Sequence, residues 1–138
     1  MVSLGFTEGF YVRPRIDKDL LKTNSEGLIC LSACLAGEIP KALSRGDYNG
    51  AKKSALWFDS VFGRGNYFLE IQDHGIAEQA RINPQIVRIS QETGIPLVAT
   101  NDVHYINADD YEMQKVLICI QTGKKLSEEN PLAFETNE

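Results

Sequence analysis

Short apolar runs alternate along this chain with longer segments in which apolar residues recur every three or four positions. The short runs are typical of strands buried in a sheet, and they are Leu28–Ser32, Tyr67–Ile71 and Ile95–Thr100. The longer segments have the spacing of amphipathic helices, and they begin at Glu38, Ala51, Glu78 and Asp109 or Asp110. The order strand, helix, helix, strand, helix, strand, helix predicts an α/β fold with mostly parallel strands joined by right-handed crossovers.

Residues with strong local preferences mark where these elements should begin and end. Asp47 is a predicted helix N-cap, Gly63 and Gly123 are predicted helix ends, and Pro84 is expected to interrupt the helix that begins at Glu78. Residues 1–26 and 124–138 are predicted to be loosely structured, apart from one short helix near Asp17. Repeats and linkers are lacking in the sequence, so residues 1–138 are expected to form a single unit.

Polar side chains with metal-binding or catalytic potential follow each predicted strand at its carboxyl end. The first strand ends at Ser32 and is followed by Cys34, the second has Glu70 near its end and is followed by His74, and the third is followed by Asp102 and His104. In α/β sheets and barrels the active site lies at this edge. We therefore expect these three sets of side chains to converge on one rim of the sheet.

Asp102 and His104 form the strongest candidate pair, because alternate residues of an extended segment point to the same side. A carboxylate and an imidazole are ordinary ligands of zinc or manganese. The alternative interpretation is a surface loop in which Asp102 caps a turn and His104 packs by chance. Cys34 could ligate zinc as a thiolate, or it could be an inert, buried cysteine. Glu70 and His74 could be ligands or could support ligands, and His74 could equally be a turn residue before a glycine.

Composition, net charge and cysteine content exclude several classes of protein. The chain has 138 residues, is 43% hydrophobic and carries a net charge of −5. The negative charge argues against a free-standing nucleic-acid-binding protein, and a mild basic cluster from Arg13 to Lys22 is interpreted as solvated surface. The three cysteines predict no disulfide framework. The sequence contains neither an apolar run long enough to span a bilayer nor a signal-peptide pattern, so a cytoplasmic protein is expected.

Other catalytic motifs are missing from the sequence. It contains no phosphate-binding loop of the G-x-x-x-x-G-K-[ST] type, no G-x-G-x-x-G after a strand and no G-x-S-x-G elbow. The aromatic residues Trp57, Phe58 and Phe62 have helical spacing and are interpreted as core residues rather than as a platform for stacking bases.

Five segments, in order along the chain, resemble the PHP (polymerase and histidinol phosphatase) domains of bacterial DNA polymerase III alpha subunits. They are Thr7–Asp17, Gly27–Pro40, Asn66–Gly75, Pro96–Tyr105 and Val116–Gly123. The resemblance implies a distorted (β/α) barrel with a metal cluster at the carboxyl ends of its strands. It also implies phosphoester hydrolysis, including 3′–5′ exonuclease proofreading in some polymerases, or a degenerate site with a structural role.

The resemblance also implies roles for particular residues. Cys34, Asp102 and His104 correspond to metal ligands of the family. Glu70 and His74 lie in a similar segment, either as further ligands or as residues that hydrogen-bond to the ligands. The implied cofactor of the intact domain is a divalent metal, namely zinc, manganese or magnesium. Attack by metal-bound hydroxide would need no side-chain nucleophile, so no catalytic residue is expected beyond the ligands.

The HxH motif with which the family begins is missing from this sequence, which contains only two histidines. We therefore expect the chain to be the second half of a PHP domain, a partial barrel from a longer polymerase, which is inactive alone and does not necessarily bind metal. DNA and other replisome subunits are the expected partners of the parent protein, and an open sheet edge predicts self-association of the fragment. One alternative is a structural module that braces the polymerase and docks a separate proofreading subunit. A stand-alone flavodoxin-like domain also fits the order of elements, but it does not explain the five segments.

Overall fold

The computed structural model describes residues 1–128, which form helices packed against a small sheet. In chain order the elements are α1 (Val2–Thr7), α2 (Lys18–Thr23), β1 (Cys30–Leu31), α3 (Glu38–Ser44), α4 (Tyr48–Phe62), β2 (Tyr67–Ile71), α5 (Ala77–Thr93), β3 (Leu97–Ala99), a 3-10 turn (Ala108–Asp110) and α6 (Tyr111–Thr122). From β1 onward this is the predicted order. Residues 129–138 lie outside the described residues, so most of the predicted loose segment 124–138 does too.

The sheet has the strand order β1-β2-β3, and both pairs of strands are parallel. Cys30 pairs with Tyr67, and Glu70 pairs with Val98. Parallel neighbours joined through helices confirm the predicted α/β class. The partial distorted barrel of the PHP type stays a prediction, because the three strands found within residues 1–128 do not close a barrel.

The core lies between β2 and the helices α3, α4 and α5. Tyr67 and Leu69 of β2 are fully buried, and they face the apolar stripes of these helices. The remaining members of the core are Ile39, Leu43, Ala51, Ala55, Phe62, Ile82, Ile86, Ile89 and Ile95. Burial of these side chains is the main source of stability of the fold, and it fixes the position of the loop that follows β2.

The prediction that all three strands are buried was wrong for β1 and β3. Leu31 is 39% exposed and Leu97 is 37% exposed, whereas the central strand β2 is covered. The physical reason is position, because β1 and β3 are the two edges of a three-stranded sheet and apolar composition alone does not reveal which strand is central. Leu28 and Ile29 also lie outside β1, which begins at Cys30.

Helix boundaries follow the predicted signals with one exception. The Asp47 carboxylate accepts a 2.8 Å hydrogen bond from the backbone N–H of Gly50 at the start of α4. Pro84, however, does not interrupt α5, which runs unbroken from Ala77 to Thr93. Pro84 and Ala80 are both exposed, so water can reach the Ala80 carbonyl that lacks a donor at position 84.

The first 26 residues contain more structure than predicted, with α1 in addition to the expected helix α2. The backbone folds closely on itself after α1, where Arg15 N–H donates a 3.2 Å hydrogen bond to the Gly9 carbonyl. A Cβ atom at Gly9 would lie 2.1 Å from the Arg15 carbonyl oxygen, so this approach needs glycine.

Helix α6 contacts the preceding 3-10 turn but packs little against the core. Met113, Leu117 and Ile120 are 67%, 58% and 74% exposed, and Ile118 is its buried residue. Much of the apolar surface of α6 is therefore open to solvent. Within residues 1–128, no helix combines the length and the apolar character that a bilayer crossing requires.

Candidate functional site

The segments that follow the three strands meet at the carboxyl edge of the sheet, where hydrogen bonds link Ser32, Glu70 and Thr100. Ser32, directly after β1, is buried, and its hydroxyl accepts a 2.8 Å hydrogen bond from the backbone N–H of Glu70 in β2. The next residue, Ala33, has a φ of 66°, so the chain turns away from the sheet at this point. The Ser32 side chain therefore satisfies a strand N–H where the backbone of β1 no longer continues the ladder.

The Glu70 carboxylate connects the ends of β2 and β3. Glu70 is only 9% exposed, and its Oε1 accepts a hydrogen bond from the Thr100 hydroxyl. The same oxygen accepts a 3.0 Å hydrogen bond from the side-chain amide of Gln72. A buried carboxylate needs such donors to offset its desolvation. Glu70 is therefore held in place by the fold and joins the ends of two strands.

Gln79, in the first turns of α5, extends this network to His74. Gln79 is 4% exposed, and its Oε1 accepts a 2.9 Å hydrogen bond from the backbone N–H of His74. Its Nε2 lies 3.0 Å from His74 Nδ1 and 3.5 Å from Gln72 Oε1. Because Oε1 is used as an acceptor, the amide orientation makes Nε2 the donor toward His74 Nδ1.

The ring of His74 joins the segment after β2 to the segment after β3. With Nδ1 accepting from Gln79, the neutral ring carries its proton on Nε2, which lies 2.6 Å from the Asn101 carbonyl oxygen. Both ring nitrogens of His74 therefore have partners inside the fold. This arrangement suits a residue that supports ligands better than a residue that binds metal directly.

Cys34 lies in the tight loop between β1 and α3. Gly37 N–H donates a 2.7 Å hydrogen bond to the Cys34 carbonyl, and a Cβ atom at Gly37 would lie 2.4 Å from the Ser32 carbonyl oxygen. The half-buried Cys34 lines a small pocket together with Glu70 and Gln72. The structure therefore brings Cys34 and Glu70, from the first and second polar sets, to one place.

Asp102 and His104 lie beyond the end of β3, and both are exposed. The extended geometry expected for them was wrong, because Asp102 has a φ of 47°, in the left-handed region that aspartate tolerates better than most residues. His104 Nδ1 lies 2.5 Å from the carbonyl oxygen of Asp102. A proton on Nδ1 places the lone pair on Nε2, which is a common arrangement for metal-binding histidines.

The candidate ligands do not converge within the part of the chain that the structure describes. No three side chains of His, Cys, Asp or Glu among residues 1–128 lie close enough together to hold a metal ion. The thiolate, carboxylate and imidazole groups all suit zinc, and the carboxylate also suits manganese. The described residues thus supply ligand types but not an assembled set.

The residues that support this rim were not predicted from the sequence, and they are Gln72, Gln79, Thr100 and Asn101. Only Gln79 left a clear signal, because it occupies the same helical stripe as the buried residues Ile82, Ile86 and Ile89 of α5. A polar residue in an apolar stripe indicates a buried hydrogen-bond partner, and here the partner is His74.

Comparison with known proteins shows the family to which the sequence is similar. The sequence profile of the PHP domain matches residues 1–74, a range that includes Cys34, Glu70 and His74 and ends before Asp102 and His104. The matched range is more than half of the chain.

Individual relatives extend the similarity to the remaining residues. The chain is 49% identical over 138 residues, 100% of its length, to the DNA polymerase III subunit alpha of Borreliella burgdorferi. It is 45% identical to that of Treponema pallidum and 43% identical to that of Deinococcus radiodurans, over 99% of the chain in each case. The chain spans only 12%, 12% and 10%, respectively, of the length of these relatives.

Proposed function

Since the chain belongs to the PHP domain family, we propose that it is part of the alpha subunit of a bacterial DNA polymerase III. In that protein it contributes ligands to a metal-dependent site that cleaves phosphodiester bonds. The observation that carries this proposal is the similarity of the whole chain to alpha subunits, together with ligand-type residues at the carboxyl edge of its sheet.

Each residue of the rim has a role in this proposal. The Cys34 thiolate, the Asp102 carboxylate and the His104 imidazole are the metal ligands, and Glu70 and His74 hold the surrounding segments. Bound zinc, manganese or magnesium would polarise a phosphodiester and supply hydroxide at neutral pH. The sulfur and nitrogen donors favour zinc, whereas manganese and magnesium prefer oxygen ligands such as the Asp102 carboxylate.

The substrate in this proposal is the 3′ end of DNA, which would make the reaction a 3′–5′ exonuclease step in proofreading. The net charge of −5 indicates that other regions of the parent protein supply most of the contacts to phosphate.

The isolated chain is expected to be inactive, because its described residues do not assemble three metal ligands. The cytoplasmic location stays a prediction.

The proposal can be tested in the full-length polypeptide that contains this chain. We expect Asp102→Ala combined with His104→Ala to lower the bound zinc or manganese and the hydrolysis of a 3′-end-labelled oligonucleotide, while DNA extension is retained. Asp73→Asn is the matched control, because Asp73 is exposed and contacts only the Gly75 backbone among the described hydrogen bonds. A parent protein without metal, or with hydrolysis unchanged in the double variant, would overturn the proposal.

The isolated chain provides a second test. Its activity on the same oligonucleotide should not exceed that of the isolated Asp102→Ala/His104→Ala chain. Higher activity of the unsubstituted chain would show that the ligands needed for hydrolysis are all present in these 138 residues.

A second candidate function is a structural module that docks a separate proofreading subunit. The observation that favours it is the open apolar surface of α6, with Met113, Leu117 and Ile120 exposed. Leu117→Glu with Ile120→Glu in the full-length polypeptide should then weaken binding of a proofreading exonuclease without changing the metal content. Unchanged binding in this variant would exclude α6 as the docking surface.

A further inference from the structure

We infer that His74 is a positioning residue, which fixes the backbone that carries Asp102 and His104 through its hydrogen bond to Asn101. The inference deepens the proposed function and rests on it, because the positioned residues are the proposed metal ligands. His74 would then act on the metal site through Asn101 without binding the metal itself.

The hydrogen bonds around His74 define its orientation from two sides. Gln79 accepts from the His74 backbone N–H at 2.9 Å and donates to His74 Nδ1 at 3.0 Å. The opposite ring nitrogen, Nε2, donates to the Asn101 carbonyl oxygen at 2.6 Å. A histidine held at both nitrogens has one neutral tautomer that satisfies all its partners. Direct metal binding would require the ring to give up one of these two partners.

The segment after β3 needs an external anchor because the sheet no longer supports it. β3 ends at Ala99, and Asp102 has a φ of 47°, a conformation that L residues adopt rarely. Val103 is 77% exposed, so packing adds little at this position. The bond from His74 ties the first part of this segment to the turn that follows the buried strand β2.

The hydrogen bond from His74 to Asn101 belongs to a network that also reaches Thr100, the preceding residue of the same segment. Gln79 contacts Gln72, and Gln72 donates to the Glu70 carboxylate, which also accepts from Thr100. Thr100 and Asn101 are therefore held by two adjoining branches of one hydrogen-bond network, one from Glu70 in β2 and one from His74 after it. Hydrogen bonds of this kind, made to the backbone beside a metal ligand, help to set the orientation of the ligand.

The experiment uses the full-length polypeptide and measures two quantities independently. Hydrogen–deuterium exchange of the peptide that covers residues 101–105 reports the order of the segment, and titration with zinc or manganese reports affinity and stoichiometry. We expect His74→Phe and Gln79→Leu to speed exchange in this peptide. Both should raise the metal Kd roughly 10- to 100-fold at unchanged stoichiometry.

Conservative and control variants separate positioning from a general loss of structure. His74→Gln keeps a side-chain N–H donor and should restore part of the protection and affinity, whereas Asp73→Asn should change neither. Exchange in the peptides of α4 and β2 checks that each variant is folded. A variant that loses protection there as well as at residues 101–105 would contradict a local positioning role.

The remaining outcomes distinguish this inference from the proposed function. Loss of one metal ion per protein in His74→Phe, with unchanged exchange at residues 101–105, would overturn the inference and make His74 a ligand. Unchanged exchange and unchanged affinity would also overturn it. If the unsubstituted protein binds no metal, the proposed function fails, while faster exchange at residues 101–105 in His74→Phe would still support the anchoring by His74.

Discussion

Ser32 and Glu70 hold the ends of β1 and β2 together, with the serine hydroxyl accepting a 2.8 Å hydrogen bond from the glutamate N–H. Both residues are buried, and the backbone leaves the sheet at Ala33 directly afterwards. This one side chain therefore ends the pairing of β1 with β2 without leaving a buried donor unsatisfied. It also sets the start of the loop that carries Cys34.

Ser32→Ala should lower the free energy of unfolding of the chain by about 1–3 kcal/mol, since it leaves the Glu70 N–H buried without its acceptor. Chemical denaturation followed by circular dichroism measures the change. Ser60→Ala is the control, because Ser60 is exposed and its hydroxyl donates only to a carbonyl one turn earlier in α4. Equal stability of the two variants would contradict the role assigned to Ser32.

Gly37→Ala should destabilise the loop around Cys34, because the added Cβ atom would lie 2.4 Å from the Ser32 carbonyl oxygen. The obstacle is backbone, which cannot rotate away as a flexible side chain can. A loss of about 1–3 kcal/mol in the free energy of unfolding is expected from overpacking of this kind. Ala36→Ser, at an exposed neighbouring position, should have little effect in the same denaturation experiment.

Glu92 should make the stability of the chain depend on pH in the acid range. Its carboxylate accepts hydrogen bonds from Lys52 at 2.8 Å and Arg88 at 2.7 Å, which lower the pKa of Glu92 to about 2. A carboxyl group whose pKa is lower in the folded state stabilises the fold above its ordinary pKa, near 4.5. This contribution is lost as the pH falls from about 4.5 toward 2.

Unfolding measured between pH 6 and about 2 should therefore show a shallower loss of stability on acidification in Glu92→Gln than in the unsubstituted chain. Glu26→Gln provides the comparison, because Glu26 is exposed and has no ion pair among residues 1–128. The difference should shrink in high salt, since the Glu92 pairs are near the surface. Parallel pH profiles for Glu92→Gln and the unsubstituted chain would refute this assignment.

The isolated chain should self-associate through the edge of β3 that has no strand partner among residues 1–128. The hydrogen bonds that join β2 to the β3 segment include one from Leu69 N–H to the Pro96 carbonyl and one from Thr100 N–H to the Ile71 carbonyl. By the alternation of a strand, the N–H of Ala99 points to the open edge. Ala99→Pro should therefore remove an edge donor, keep the bonds to β2 and reduce association.

Multi-angle light scattering over a wide concentration range measures this association. Ala99→Ser keeps the N–H and should associate like the unsubstituted chain. A monomer at all concentrations would show that the open edges of the sheet do not drive association, and equal association of Ala99→Pro would point instead to the exposed surface of α6.

Much of the fold from Cys30 onward could be predicted because its local signals agree with its tertiary structure. Tyr67–Ile71 is the strand that the apolar run predicted, and Asp47 caps α4 as its side chain suggested. Pro84 was misread, because the cost of a proline within a helix depends on whether water reaches the carbonyl that loses its donor. That exposure is a property of the folded chain.

The candidate site was predictable in part. Strand order along the chain correctly placed Cys34 and Glu70 at one edge of a parallel sheet, where they line the same pocket. The spacing of Asp102 and His104 suggested an extended segment, but the left-handed turn at Asp102 depends on contacts made after β3 ends. Whether these residues join Cys34 around a metal stays a prediction.

The sequence by itself determined the class of fold, the residues with ligand chemistry and the edge of the sheet at which they occur, because strand and helix periods are local properties. Only the tertiary structure decided that β2 is central, that His74 bridges Gln79 and Asn101, and that no three candidate ligands converge within residues 1–128. These features depend on contacts between residues distant in the chain, and pattern and spacing do not specify such contacts.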